Sequence, residues 1–120
     1  MGTGFVDIVD TATNTVVGSI DLGQGAIPSA VAITPDGSRA YVADSSAGMV
    51  SVVSTATNTV TTALSGFSGA AAVAITPDGS QAYVVVDGAV NVIDTATNTF
   101  TAIQLNGARR IALTPDGTRA

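Results

Sequence analysis

The chain has 120 residues, enough for one domain, and carries nine Asp and four Arg with no Glu, Lys, His or Cys. Its net charge of −5 opposes phosphate backbones, and it has no basic cluster, so neither nucleic acid nor an anionic membrane surface is an expected partner. The absence of Cys excludes a thiolate metal site, and no cofactor is expected.

Val, Ala, Ile and Thr dominate the composition, which favours a pleated sheet over helices. Met1-Gly2-Thr3-Gly4 leads straight into a strand-like stretch with no legible signal peptide. Residues 5–10 form the first expected strand, and Thr11-Ala12-Thr13-Asn14 turns the chain into a second at 16–22. An apolar run at 30–34 meets Thr34-Pro35-Asp36-Gly37, and residues 39–43 follow as its hairpin partner. The first pair then recurs at 49–54 and 59–64 around Thr55-Ala56-Thr57-Asn58. Val73-Ala74-Ile75 opens the second hairpin, Thr76 to Gly79, followed by strands at 81–86, 89–94 and 99–105. Ile111-Ala112-Leu113 opens the third, Thr114 to Gly117, and Arg119-Ala120 begins the strand expected next. Residues 45–77 carry no charge, but Ser, Thr, Asn and Gly interrupt them, so they are expected to form sheet and not a membrane span.

The two turn motifs interleave. Thr-Ala-Thr-Asn-Thr starts at 11, 55 and 95, and Thr-Pro-Asp-Gly at 34, 76 and 114, giving a period near forty residues. A repeat of that length with two turns per period is the mark of propeller blades. Each unit reads as strands a (before Thr-Pro-Asp-Gly), b, c and d (after Thr-Ala-Thr-Asn). In the first motif Pro presets φ and Gly takes the left-handed corner. In the second, a preceding Asp can accept backbone N–H bonds and Asn tolerates left-handed geometry. Asp10, Asp36, Asp78, Asp87, Asp94 and Asp116 all sit in such turns, which weakens any case for catalytic carboxylates. Strand a is apolar on both faces, as an innermost strand between two blades should be, and strand d is polar, as an outer edge should be.

Val90-Asn91-Val92-Ile93-Asp94-Thr95-Ala96-Thr97-Asn98-Thr99 and Val31-Ala32-Ile33-Thr34-Pro35-Asp36-Gly37 resemble the YVTN-type β-propeller repeat. Strand b is looser, with Tyr41-Val42-Ala43-Asp44 and Tyr83-Val84-Val85-Val86. The resemblance spans essentially the whole chain. It implies an all-β propeller of four-stranded antiparallel blades, a bacterial origin, and an extracellular or cell-surface scaffold that binds other molecules. Some similar propellers are lactonase-like or quinone-linked enzymes, which use His, Glu or clustered charge at the channel.

Residues 1–120 thus read as a single array of three permuted repeats, beginning at strand c and ending inside strand b. Three blades cannot close a ring, because propellers have four to eight. Head-to-tail association would close it, with strand a of one chain completing the c–d pair of the next. A homodimer would give six blades and a homotrimer nine. The alternative, a monomeric β-trefoil, also has three repeats of about forty residues.

On an up-and-down meander the a–b and c–d turns share one rim, and the d–a and b–c connections share the other. The second set varies in length between copies, which makes that rim the expected binding face. Arg109 and Arg110 break the repeat where the other copies have Ser29-Ala30 and Ala71-Ala72. With Asp44 and Asp87 in b–c loops of the same rim, they are the candidate ligand-binding residues. The arginines suit a small anion or carboxylate, or else pair locally with the aspartates or stay solvated. Calcium would need more oxygen ligands than these, so no metal site is expected. No Ser or Thr has a His, Lys or Cys to activate it, so a structural or interaction role is expected before an enzymatic one.

Overall fold

The computed structural model describes residues 3–120 and forms ten strands and no helix. Met1 and Gly2, the start of the lead-in read from the sequence, lie outside the described residues. The strands are β1 (Thr3–Asp10), β2 (Thr15–Gln24), β3 (Pro28–Ile33), β4 (Arg39–Asp44), β5 (Met49–Ser54), β6 (Thr59–Ser65), β7 (Ala72–Ile75), β8 (Gln81–Val86), β9 (Ala89–Asp94) and β10 (Thr99–Gln104). They make three antiparallel sheets: a first of β1–β2, a middle of β3–β4–β5–β6 and a last of β7–β8–β9–β10. Each four-stranded sheet is a plain meander, so strands a to d pair in chain order within one repeat. A trefoil would instead pair strands from different repeats into a barrel, and no such pairing occurs among the described residues.

The turns form as their residues dictate. Asn14, Asn58 and Asn98 adopt φ of 54°, 54° and 56°, the left-handed region that Asn tolerates. Asp10 Oδ1 accepts the N–H of Ala12 at 2.7 Å, and Asp94 Oδ1 that of Ala96 at 2.9 Å. In the first Thr-Pro-Asp-Gly hairpin Gly37 N donates to Thr34 O at 2.8 Å, and Asp36 Oδ1 accepts from Thr34 Oγ1, Ser38 N and Ser38 Oγ. The same bonds recur around Asp78 and Asp116.

These donors favour the ionised carboxylates. The Thr34 hydroxyl, then the N–H and hydroxyl of Ser38, lower the Asp36 pKa from 3.8 to about 2. The Ser80 N–H, then the Thr76 and Ser80 hydroxyls, lower Asp78 likewise to about 2, and Asp116 is lowered chiefly by Thr114. As pH falls the unfolded chain takes up protons first, so this stabilisation is complete above the unfolded pKa and is lost as pH falls through the folded one. The melting temperature is expected to be flat from pH 7 to about 5 and to drop between about pH 4 and 2. A flat profile across that lower window, followed by circular dichroism, would show that the hairpin carboxylates contribute nothing.

Two cores lie between the sheets. Val6, Ile8, Ile20 and Leu22 of the first sheet meet Ala40, Val42 and Val53 of the middle sheet. Tyr41, Ala43, Val50 and Val52 on the opposite face of the middle sheet meet Ala82, Val84, Val86 and Ile93 of the last. Period-two alternation therefore feeds both cores from one strand, and residues 40–44 of β4 are all buried. The uncharged stretch 45–77 forms β5, β6 and β7, as expected for sheet.

Two expectations are corrected. Strand a of the middle sheet is not covered on both faces: Val31 and Ile33 of β3 are 53% and 58% exposed. The side of β3 they occupy faces a first sheet of only two strands, which does not extend far enough inward to cover them. The equivalent Val73 and Ile75 of β7 pack against a complete sheet. Second, Ile111-Ala112-Leu113 forms no strand, because a ladder needs a partner and none lies beside it among the described residues. Its hairpin closes all the same, with Thr114 N donating to Arg119 O at 2.9 Å.

Candidate functional site: the variable rim

Hydrogen bonds sort the loops into two rims. On one, c–d turns are tied to a–b hairpins: Thr55 Oγ1 donates to Gly37 O and Thr95 Oγ1 to Gly79 O, each at 2.5 Å. On the other, d–a connections are tied to b–c turns: Phe67 N donates to Gly48 O at 2.9 Å, Ser46 Oγ to Gly25 O at 2.7 Å, and Asp87 N to Ser68 O at 3.2 Å. The second rim is the one whose loops vary in length.

A hollow of about 820 Å³ opens on this rim between the first and middle sheets, bordered by Leu22, Gly25, Asp44, Ser46, Met49 and Val60. Asp44 stands at the end of β4, 6% exposed, and not out in a loop. Its Oδ1 accepts from Ser46 Oγ (2.8 Å), Ser46 N (2.9 Å), Ala47 N (3.0 Å) and Ile27 N (3.2 Å). Burial pushes its pKa up, but the bonds from Ala47, Ser46 and Ile27 outweigh that, and the net shift is downward. Asp44 therefore stitches the b–c turn to the d–a connection, with all four of these bonds converging on Oδ1. Asp44→Ala is expected to cost about 2–3 kcal/mol in urea denaturation, while Asp44→Asn, which keeps one acceptor oxygen, should cost about half of that. Equal losses for both would show that the carboxylate does not organise the loop.

The other expected site residues do not converge on Asp44. Asp87 is exposed, and its carboxylate lies so close to Gly69 that any Cβ there would collide with it. Arg109 and Arg110 are both exposed, and Arg110 borders a separate hollow of about 310 Å³ with Tyr83, Val90, Ile103 and Ile111 on the outer face of the last sheet. Asp44 and Arg110 thus border different hollows, one between the first and middle sheets and one on the outer face of the last.

Several contacts between repeats were not read from the sequence. Phe67, in the d–a connection after β6, is fully buried and packs against Phe100 with centroids 4.6 Å apart and the rings tilted by 48°. Its signal was a lone aromatic within Ser65-Gly66-Phe67-Ser68-Gly69. Ser29 Oγ donates to Ala70 O at 2.7 Å, tying the start of β3 to the connection ahead of β7. Arg39 Nη1 donates to Thr95 O at 2.6 Å, and Tyr41 Oη to Asn98 Oδ1 at 3.2 Å, joining β4 to the c–d turn of the last sheet. The available signal was Arg recurring five residues after Thr34 and after Thr114.

These features define an all-β class: antiparallel four-stranded meanders stacked face to face in a propeller-like array, with loops sorted to two rims. No family model and no curated protein matches the chain. Among solved structures it is similar to Kuenenia stuttgartiensis hydrazine synthase, with a TM-score of 0.87 and 32% identity over 94% of this chain and 34% of that one. The chain therefore spans about a third of the length of that synthase chain.

Proposed function

We propose that the protein is a stretch of YVTN-type β-propeller wall that joins head to tail with a second copy into a closed ring of six blades. It acts as a structural and interaction scaffold that presents the variable rim, on the cell surface or outside the cell. The observation that carries this reading is the complementarity of the two ends of the stack. One end exposes Phe5, Val9, Val31 and Ile33, at 51–58%. The other exposes Ile103 and Leu105, at 47% and 49%, beside the hollow on the last sheet. Phe5 and Val9 take the places that Ala89 and Ile93 hold in the last sheet, counted back from Asp10 and Asp94. Ala89 and Ile93 are buried against the middle sheet. Each end therefore repeats one half of an interface already formed inside the molecule, which makes the two ends complementary to each other for heterologous, head-to-tail association. Apolar faces of this kind are sites of association.

Light scattering on the purified chain tests the proposal. The expected mass is twice 11.7 kDa, and three times that mass would select a nine-blade ring. A monomer at all concentrations would defeat the ring. It would favour a second reading, in which the stack is wall within a longer enzyme, as the likeness to part of a synthase chain supports.

A further inference from the structure

We infer that, in the head-to-tail ring proposed above, Pro115 of one copy seats on Gly37 of the next while Arg119 donates to the backbone carbonyl of Thr55 in that same copy. The inference rests on the ring reading and adds to it the register and the contacting groups.

Neighbouring repeats already make both contacts within the chain. The Thr-Pro-Asp-Gly hairpins stack, with each Pro lying over the Gly of the following hairpin. A Cβ added to Gly79 would meet Pro35 Cδ at 3.2 Å, and one added to Gly117 would meet Pro77 Cδ at the same distance. Gly37 has the same backbone, φ 75° against 75° at Gly79 and 73° at Gly117, yet the space above it is open. Among the described residues no Gly lies against Pro115, which is exposed. The stack thus has a knob at one end and a matching seat at the other.

The arginine follows the same step from one repeat to the next. Arg39 reaches Thr95 in the following sheet, where Thr95 is 3% exposed and Asn98 is half-buried. No strand b precedes the middle sheet among the described residues, and there the corresponding Asn58 is exposed and Thr55 only half-buried. Arg119 stands in the third hairpin as Arg39 does in the first. Arg39 N donates to Thr34 Oγ1 and Arg119 N to Thr114 Oγ1, both at 3.1 Å, and both carbonyls accept the Thr N–H at 2.9 Å. Its backbone is therefore preset for the reach that Arg39 makes. Once β1–β2 of a second copy joins the third hairpin as its c–d pair, the next c–d turn in line is Thr55-Ala56-Thr57-Asn58 of that copy.

Sedimentation equilibrium over a range of concentrations, on the full chain and on Arg119→Ala, Pro115→Ala and Ser65→Ala, tests the inference. A guanidinium-to-carbonyl bond lost at both junctions of a two-copy ring should raise the dissociation constant at least tenfold in Arg119→Ala. Pro115→Ala should raise it several-fold, and Ser65→Ala, exposed on the outer strand of the middle sheet and away from both ends of the stack, should leave it within about twofold. Both test residues are exposed in the single chain, so its far-UV circular dichroism should not change. If the wild type assembles and neither Arg119→Ala nor Pro115→Ala weakens it, the latch is wrong while the ring stands. If the wild type stays monomeric, both are overturned.

Discussion

Tyr41→Ala is expected to destabilise the chain by about 3–5 kcal/mol, the usual loss for a large aromatic removed from a core. Tyr41 has no exposed surface, and its ring fills the space between the middle and last sheets beside Val52, Ala82 and Val84. Its hydroxyl also joins two repeats, donating to Asn98 Oδ1 at 3.2 Å and lying 3.4 Å from Arg39 Nη1, while burial raises its pKa. A stack of repeats draws its stability from contacts between neighbours, so a loss at this interface falls on the term that holds the array together. With a total stability of only about 5–15 kcal/mol for a domain, the variant should unfold at markedly lower urea. Tyr41→Phe separates the two contributions. It keeps the ring, removes the hydroxyl, and should cost about 1 kcal/mol. An alanine variant within about 1 kcal/mol of wild type would show that the two sheets do not depend on this side chain.

Phe67→Ala is expected to cost a similar 3–5 kcal/mol, with part of the loss coming from the Phe100 contact. The ring is wholly buried although it belongs to a connection, and the backbone around it is fixed by Phe67 N to Gly48 O and Ala70 N to Phe67 O. It plugs the core from the variable rim. Removing it should loosen that rim first, so hydrogen exchange at residues 66–70 should quicken before the strands do. Phe67→Leu, which fills most of the volume, should recover all but about 1.5 kcal/mol. Tyr41 and Phe67 share one core, so the double variant should lose less or more than the sum, and a double-mutant cycle measures the coupling. Equal exchange at residues 66–70 in wild type and variant would remove Phe67 as the anchor of the rim.

Strand positions and turn chemistry were legible because they depend on nearest neighbours along the chain. Period-two alternation set the strands, Pro-Asp-Gly fixed the hairpins, and Asn at the end of Thr-Ala-Thr-Asn accepted the left-handed φ seen at 14, 58 and 98. The sorting of loops to two rims followed from the meander. Exposure and pairing were not legible, because they depend on which distant stretch comes alongside. Val31 and Val73 occupy equivalent places in equivalent hairpins, yet Val73 packs against a complete sheet and Val31 faces the narrow first one. Ile111-Ala112-Leu113 has the composition of a strand and lacks a ladder partner among the described residues. Asp44 looked like a rim carboxylate open to a ligand. Ile27, seventeen residues earlier in the chain, helps to turn it into a buried brace. The sequence by itself determined the repeat, its strands and its turns, since backbone preference and alternation are local. Only the tertiary structure decided which copies of each surface are covered, because burial depends on what lies opposite.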